Sequence, residues 1–203
     1  MTIKAILWDI GGVLVRTMDR TPRLHLAERL GVTYEQLEEM VFGGEMGAKA
    51  QRGEITEAEK WRHAARSLGV PTQGIPGFQQ EFFGGDRLDE ALVNTIRGLH
   101  ADYRTGIISN ALSDTRRMLV DTWRIVDAFD VIILSAEVGV MKPEPRIYHL
   151  ALQGLCVEPQ EAVFIDDFER NVQGAQNVGL PAIHFRSPQQ ALQELSAILQ
   201  LPE

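Results

Sequence analysis

The sequence predicts an α/β protein: a doubly wound parallel sheet, a Rossmann-like core, carrying a small helical cap domain. Three observations lead there. Five short apolar runs rich in β-branched residues, at 3–8, 105–108, 131–134, 162–165 and 181–185, are nearly continuous rather than alternating, as in strands buried on both faces. Helical patterns separate the last four, and strands alternating with helices argue a parallel sheet. The stretch 15–85 breaks that alternation, because it reads as helical throughout. The predicted division is 1–14 and 86–203 for the α/β core and 15–85 for the helical cap.

Each element has its own signal. The first run ends at Trp8 and passes directly into Asp9-Ile10-Gly11-Gly12, where the glycines permit a tight turn with positive φ. Within the insert, Thr33 with Gln36 and Thr56 with Glu59 match the capping box that opens a helix. Trp61, Ala64, Ala65 and Leu68 then form one apolar helical face. Leu88, Leu92, Ile96 and Leu99 recur at helical spacing ahead of the second strand, and a helix is expected over 114–123. Another helix is expected over 167–178, stopped by Gly179 with Pro181 beyond it. Ser187 followed by Pro188 opens the last helix with an N-cap and a first-turn proline.

Composition narrows the function classes. Of 203 residues, 44% are hydrophobic and 24% charged, an ordinary globular balance. The formal net charge of −8, without a basic cluster, argues against nucleic-acid partners. No apolar run has bilayer-spanning length, and the N-terminus lacks the pattern of a signal peptide, so no membrane partner and a soluble, cytoplasmic protein are expected. The lone Cys156 lies in an apolar run, reads as a buried inert thiol, and points to a reducing compartment.

The chemistry sits at the strand ends. The first run gives Asp9, the second Ser109-Asn110, the third leads through a short loop to Lys142-Pro143, and the fourth gives Asp166-Asp167. In open α/β sheets the ligand crevice lies outside the carboxyl ends of the strands. Three carboxylates, a hydroxyl and an ammonium thus converge on one place. Clustered carboxylates stay ionised together beside a cation, and this oxygen-rich set suits Mg²⁺. A carboxylate can attack phosphorus, while a metal and a lysine neutralise the transferred phosphoryl group. Ser109 and the free N–H groups of the helix expected after it form a phosphate cradle. Bland readings accompany these. Asp166-Asp167 can be a helix N-cap pair, Lys142 an exposed lysine, and Ser109 with Asn110 a cap. Asn171 can support the metal shell but reads more readily as a solvent-facing helix residue, and Glu54 to Glu59 as a solvated face. His25, His63, His100, His149 and His184 show no metal-ligand spacing and read as surface or core-edge residues.

Asp9-Ile10-Gly11-Gly12-Val13-Leu14, Ile108-Ser109-Asn110, Met141-Lys142-Pro143-Glu144-Pro145 and Phe164-Ile165-Asp166-Asp167 resemble, in order and spacing, the four motifs of the haloacid dehalogenase-like hydrolase superfamily. Gln51-Arg52-Gly53-Glu54-Ile55 resembles the substrate-facing loop of that family's cap. The resemblance implies Asp9 as nucleophile and metal ligand, with the Gly11 carbonyl as a further ligand. It implies Ser109 on the phosphoryl oxygens, Lys142 stabilising the nucleophile, and Asp167 and Asp166 at the metal. Asn110 and Arg52 fall to substrate binding, and Arg16 and Thr17 lie where the cap meets the substrate. The expected activity is Mg²⁺-dependent hydrolysis of a small phosphorylated metabolite, sugar phosphates included, through an aspartyl phosphate, by a monomer or homodimer. Gly11 departs from the family phosphatases, which usually carry there an aspartate that protonates the leaving group. Two rivals follow from that departure: a metal-free 2-haloacid dehalogenase, and a catalytically weak phospholigand- or partner-binding protein.

Overall fold

The computed structural model describes residues 2–199. β1 (Ala5–Trp8) has no exposed residue because it is the middle strand of a five-stranded sheet, ordered β5-β4-β1-β6-β7. Its partners β4 (Arg104–Ser109) and β6 (Ala162–Asp166) both run parallel to it. β5 (Val131–Leu134) and β7 (Ala182–His184) continue the parallel arrangement outward. All five strands coincide with the expected apolar runs to within two residues at each end.

The faces follow the period-two alternation of a strand. Ile6 and Trp8 pack into one apolar cluster with α6 (Glu90–Leu99) and α11 (Pro188–Leu199), through Leu92, Ile96, Ala191 and Leu195. Ala5 and Leu7 pack into the other with α9 (Pro145–Leu155) and α10 (Glu169–Asn177), through Ile147, Ala151, Leu152 and Ala175. Continuous apolar strands are what two covered faces require.

Between β1 and the rest of the sheet stand α1 (Thr21–Leu30), α2 (Tyr34–Phe42), α3 (Gly44–Gln51), α4 (Glu57–Ser67) and α5 (Ile75–Phe82). They share a separate core of Leu26, Leu37, Val41, Trp61, Ala64, Phe78 and Phe82, in which Trp61 stands edge-on to Phe78 at 5.2 Å and to Phe82 at 5.8 Å. Both capping boxes form: Gln36 N–H donates to Thr33 Oγ1 and Glu59 N–H to Thr56 Oγ1. Gln190 N–H likewise donates to Ser187 Oγ at 3.2 Å, opening α11.

Several expectations need correction. The insert is not helical throughout. β2 (Val15–Thr17) pairs antiparallel with β3 (Asp86–Leu88) in a two-stranded ribbon that carries the chain into and out of the helical unit. Three residues are too few to register as a period. The helix expected over 114–123 is one turn, α7 (Thr115–Arg117), continued by a π-turn at Met118–Thr122 in which Leu119 alone is buried. α8 (Ser135–Val138) is a further single turn after β5. α10 begins at Glu169 rather than 167, because Phe168 N–H donates to the Asp166 carboxylate and holds the chain extended there. Cys156 is exposed, at the end of α9 with φ 53°, and so is no core thiol. No helix among the described residues is long and apolar enough to cross a membrane.

Candidate active site

The strand ends meet as the topology requires. Asp9 follows β1, and its N–H donates to Ile165 of β6, which sets it beside Asp166. Asp9 is 5% exposed, Ser109 4%, and Lys142 and Asp166 are fully buried. Lys142 Nζ lies 2.8 Å from Asp9 Oδ2 and 2.6 Å from Asp166 Oδ2, and donates also to the Ile108 carbonyl at 2.9 Å. One ammonium therefore spans β1, β4 and β6. The exposed-lysine reading fails: two buried carboxylates are what keep a charged lysine in the interior.

The two ends of the Asp166 carboxylate are taken. Besides Lys142, it accepts from Phe168 N–H at 2.8 Å and from Asn171 Nδ2 at 3.0 and 3.1 Å. Asn171 is 2% exposed, not solvent-facing. It lies with Val172 and Ala175 on the buried side of α10, so a polar residue on an apolar stripe was the available signal. Asp167 differs. Its Oδ1 is buried and has no hydrogen-bond partner, and its carboxylate packs so closely on the turn after Asp9 that a Cβ at Gly12 would fall 2.0 Å from Asp167 Oδ2. Gly12 is also at φ 76°, so the glycine serves both the turn and the approach. Gly11 does not share that need: its φ is not positive, and a Cβ there would meet nothing within 4 Å.

Oxygens of Asp9, Asp166 and Asp167 lie within 4.8 Å of one another. Burial raises the Asp9 carboxyl to about 7; Lys142 opposes the rise, and the neighbouring Asp166 and Asp167 charges add to it. Burial, and after it the Asp166 charge, pushes Asp167 up to about 6. The three carboxylates repel one another in a desolvated place where one lysine cannot neutralise all of them. An oxygen-liking dication fits this donor set, and the orphaned Asp167 Oδ1 is the atom that awaits it.

The remaining expected residues take other partners. Asn110 accepts Lys142 N–H at Oδ1 (2.7 Å) and donates from Nδ2 to the Lys142 carbonyl (3.0 Å), so its amide clamps the lysine's backbone. Arg52 pairs with Glu144 at 2.8 Å. Arg16 pairs with Asp89, and Thr17 Oγ1 donates to Asp86, both within the ribbon region rather than among the three carboxylates. No long helix begins after Ser109, and Ala111 N–H already donates to Ser135 Oγ, so the helix-terminus cradle is absent. Ser109 Oγ itself makes no hydrogen bond among the described residues. His184, read as a surface residue, meets the Asp167 carbonyl with Nε2 and Glu169 with Nδ1, each at 2.9 Å. Nothing in its sequence spacing signals this, because the contact depends on the pairing of β6 with β7.

A family model for haloacid dehalogenase-like hydrolases matches residues 3–179, most of the chain. The chain belongs to this family. It is similar to bifunctional epoxide hydrolase 2 of Rattus norvegicus, at 39% identity over 94 residues, which is 45% of this chain and 17% of that protein. It thus spans well under half the length of the first curated relatives it matches. A sesquiterpene phosphatase of Aspergillus oryzae is 25% identical over 98% of this chain and 97% of its own length. Among solved structures, a family enzyme of Bacteroides thetaiotaomicron in complex with magnesium and inorganic phosphate superposes with a TM-score of 0.72, at 24% identity, over 91% of this chain and 94% of that one. That likeness shows the fold: this hydrolase has a parallel central sheet flanked by helices, as its relatives' fold does.

Proposed function

We propose that this hydrolase cleaves small phosphomonoesters with Mg²⁺, using Asp9 as nucleophile. One observation carries the reading: an unpartnered, buried Asp167 oxygen stands beside a carboxylate that Lys142 holds in place. Asp9, Asp167 and the Gly11 carbonyl would hold the ion, with Asp166 behind them. Bound there, Mg²⁺ would neutralise charge on the phosphoryl oxygens and let the carboxylates coexist ionised.

The chain's own groups do the rest. Asp9 Oδ1 accepts the Ile10 N–H at 2.7 Å, and its Oδ2 lies against Lys142. The nucleophile is therefore held in one orientation before substrate arrives, which lowers the entropic part of the barrier. A carboxylate oxygen bonds to phosphorus as the ester P–O bond breaks, and the leaving oxygen departs with the bond's electron pair. Lys142 stabilises Asp9 before attack and the phosphoryl charge during it. Ser109 Oγ donates to a phosphoryl oxygen. Water then attacks phosphorus and gives up a proton to solvent, the Asp9–phosphorus bond breaks with its electron pair returning to the carboxylate, and inorganic phosphate is released. Asn110 acts through Lys142, which it positions. The helical unit α1–α5 serves as the cap over this site, and the compartment is cytoplasmic. The phosphatase relative that matches 98% of the chain, and the phosphate and magnesium bound by a structural neighbour, support the reading.

A metal-free displacement on a halogenated carbon is disfavoured by the same geometry. Asp167 adds a half-buried carboxylate beside two others, with its buried Oδ1 left without a hydrogen-bond partner, and such a reaction has no use for that extra negative charge.

Purified protein is expected to hydrolyse an aryl phosphate with Mg²⁺ and to stop when the metal is chelated. Asp9→Asn is expected to lower turnover at least about 10⁴-fold, as loss of an attacking group does. Turnover surviving in Asp9→Asn would remove Asp9 as the nucleophile.

A further inference from the structure

The helical unit touches the core at three points away from the carboxylates. Arg52, at the end of α3, reaches Glu144 at 2.8 Å. Gly53, at φ 71°, lies so close to α8 that a Cβ would stand 2.1 Å from the Ala136 carbonyl oxygen. Glu57 N–H, in the first turn of α4, donates to Ser113 Oγ at 3.2 Å. That amide has no acceptor within its own helix, so its protection reports contact with the core.

Glu144 does more than receive Arg52. It follows the Lys142-Pro143 bond, precedes α9, and its Oε1 also accepts the Met141 N–H. One carboxylate thus ties the helical unit to the loop that delivers Lys142 to Asp9. At the same contact the Glu57 carboxylate is half-buried: burial raises its carboxyl and the Asp114 charge adds to the rise, while the Asp114 backbone N–H and Arg117 lower it. Trp61 Nε1–H donates to Glu57 and offsets part of that cost.

We infer that Arg52 and Glu144 are positioning residues: their ion pair latches the helical cap closed over Asp9 and holds the Lys142 loop in register. Arg52 then works through Glu144 rather than by touching the phosphoryl group. The pair is about one-third exposed on the Arg52 side and two-fifths on the Glu144 side. Exposed pairs of this kind shift an equilibrium by about two- to five-fold. A weak latch suits a cap that must open at each turnover. Gly53 supplies the seat: any side chain there meets Ala136 and is strained at positive φ.

The inference rests on the phosphatase reading for its catalytic consequence but not for its structural one, and two measurements separate them. Amide hydrogen exchange at Glu57 is followed by NMR in the full-length protein, and KM and kcat are measured with an aryl phosphate. Arg52→Glu is expected to speed Glu57 exchange about two- to five-fold and to raise KM more than it lowers kcat. The reversed pair, Arg52→Glu with Glu144→Arg, is expected to restore both. Glu144→Gln keeps the acceptor for Met141 while dropping the charge, and is expected to reproduce the single-variant effect without unfolding. Gly53→Ala is expected to exchange faster still. Unchanged Glu57 exchange in Arg52→Glu, or no rescue by the reversed pair, overturns the latch. Weaker binding of inorganic phosphate by Arg52→Glu with unaltered exchange does so too, because it makes Arg52 a ligand-binding group. Absence of turnover in the wild-type protein defeats the phosphatase reading alone, since the exchange result still decides the latch.

Discussion

At the scale of single residues, the two adjacent glycines at positions 11 and 12, just beyond Asp9, have different causes. Gly12 is compelled: its backbone is left-handed, and its missing Cβ is the space Asp167 occupies. Gly11 is not, for its φ is ordinary and the volume around its absent side chain is open. A carboxylate at that position is therefore a chemical option that this chain does not use, rather than one the fold forbids. Gly11→Asp is expected to fold with an unchanged melting temperature in Mg²⁺. It is also expected to raise kcat for an alkyl phosphate more than for an aryl phosphate, because only the basic alkoxide needs a proton as it leaves. General acid help is worth roughly 10²–10⁴-fold, so steady-state rates on the two esters resolve it easily. A variant slower on both would mean that the added charge disturbs the carboxylate cluster more than its proton helps. Glycine two residues beyond Asp9 was visible in the sequence. That the position was sterically open was not, since the direction of a missing Cβ is a property of the folded turn.

At the scale of elements, what the sequence conveyed depended on how many residues carried each signal. Five strands and both capping boxes were legible because buried runs and Thr-x-x-Gln/Glu patterns are local. The β2–β3 ribbon was hidden, for its strands are three residues each and its pairing joins positions about 70 apart. Asp9, Ser109 and Asp166-Asp167 were legible as site candidates because each sits at or just beyond a strand end, and Lys142 because a loop leads to it from the third apolar run. The partners of Arg52, Asn110 and His184 were not, since they lie on other elements. The helical unit shows the same dependence energetically. Its core is separate from the two sheet-face clusters, and Trp61, 1% exposed, contacts Phe78, Phe82 and Phe83. Trp61→Ala is expected to cost about 3–5 kcal/mol, as for a buried tryptophan removed from a packed cluster. Because that loss falls on one cluster, it is expected to uncouple the unit from the sheet. Urea unfolding should then show two transitions, an early one carrying part of the helical signal and a late one for the sheet. A single shifted transition would mean that the ribbon and the Arg23 contact to Asp86 bind the two parts into one cooperative body.

At the scale of the whole molecule, the cluster of Asp9, Asp166 and Asp167 is a store of unfavourable charge whose sign can be worked out from its acids. Unfolded aspartates ionise near 3.8, whereas burial raises Asp9 to about 7 and Asp167 to about 6 in the metal-free fold. Between those values the folded state holds protons that the unfolded state has released. Stability of the metal-free protein therefore falls as pH rises through that window, and the contribution of the neutral acids is intact only below about 4. Other carboxylates act oppositely: Asp130, lowered chiefly by the Thr105 N–H and by His100 against an opposing burial effect, favours the fold once ionised. The separable quantity is thus the metal-dependent part. Mg²⁺ binds the ionised cluster and not the protonated one, so it competes with protons and stabilises the fold by mass action. The rise in melting temperature on adding Mg²⁺ is expected to be small at pH 5 and to grow steadily to pH 8. Asp9→Asn removes one of the repelling charges while leaving Lys142 paired with Asp166. That variant is expected to melt higher than the wild type without metal at pH 8, and to gain less from Mg²⁺. Calorimetry at pH 5, 6.5 and 8, with Mg²⁺ and with chelator, measures each quantity. A Mg²⁺ shift independent of pH, or a metal-free Asp9→Asn protein no more stable than the wild type at pH 8, would mean that the three carboxylates are not the ion's site.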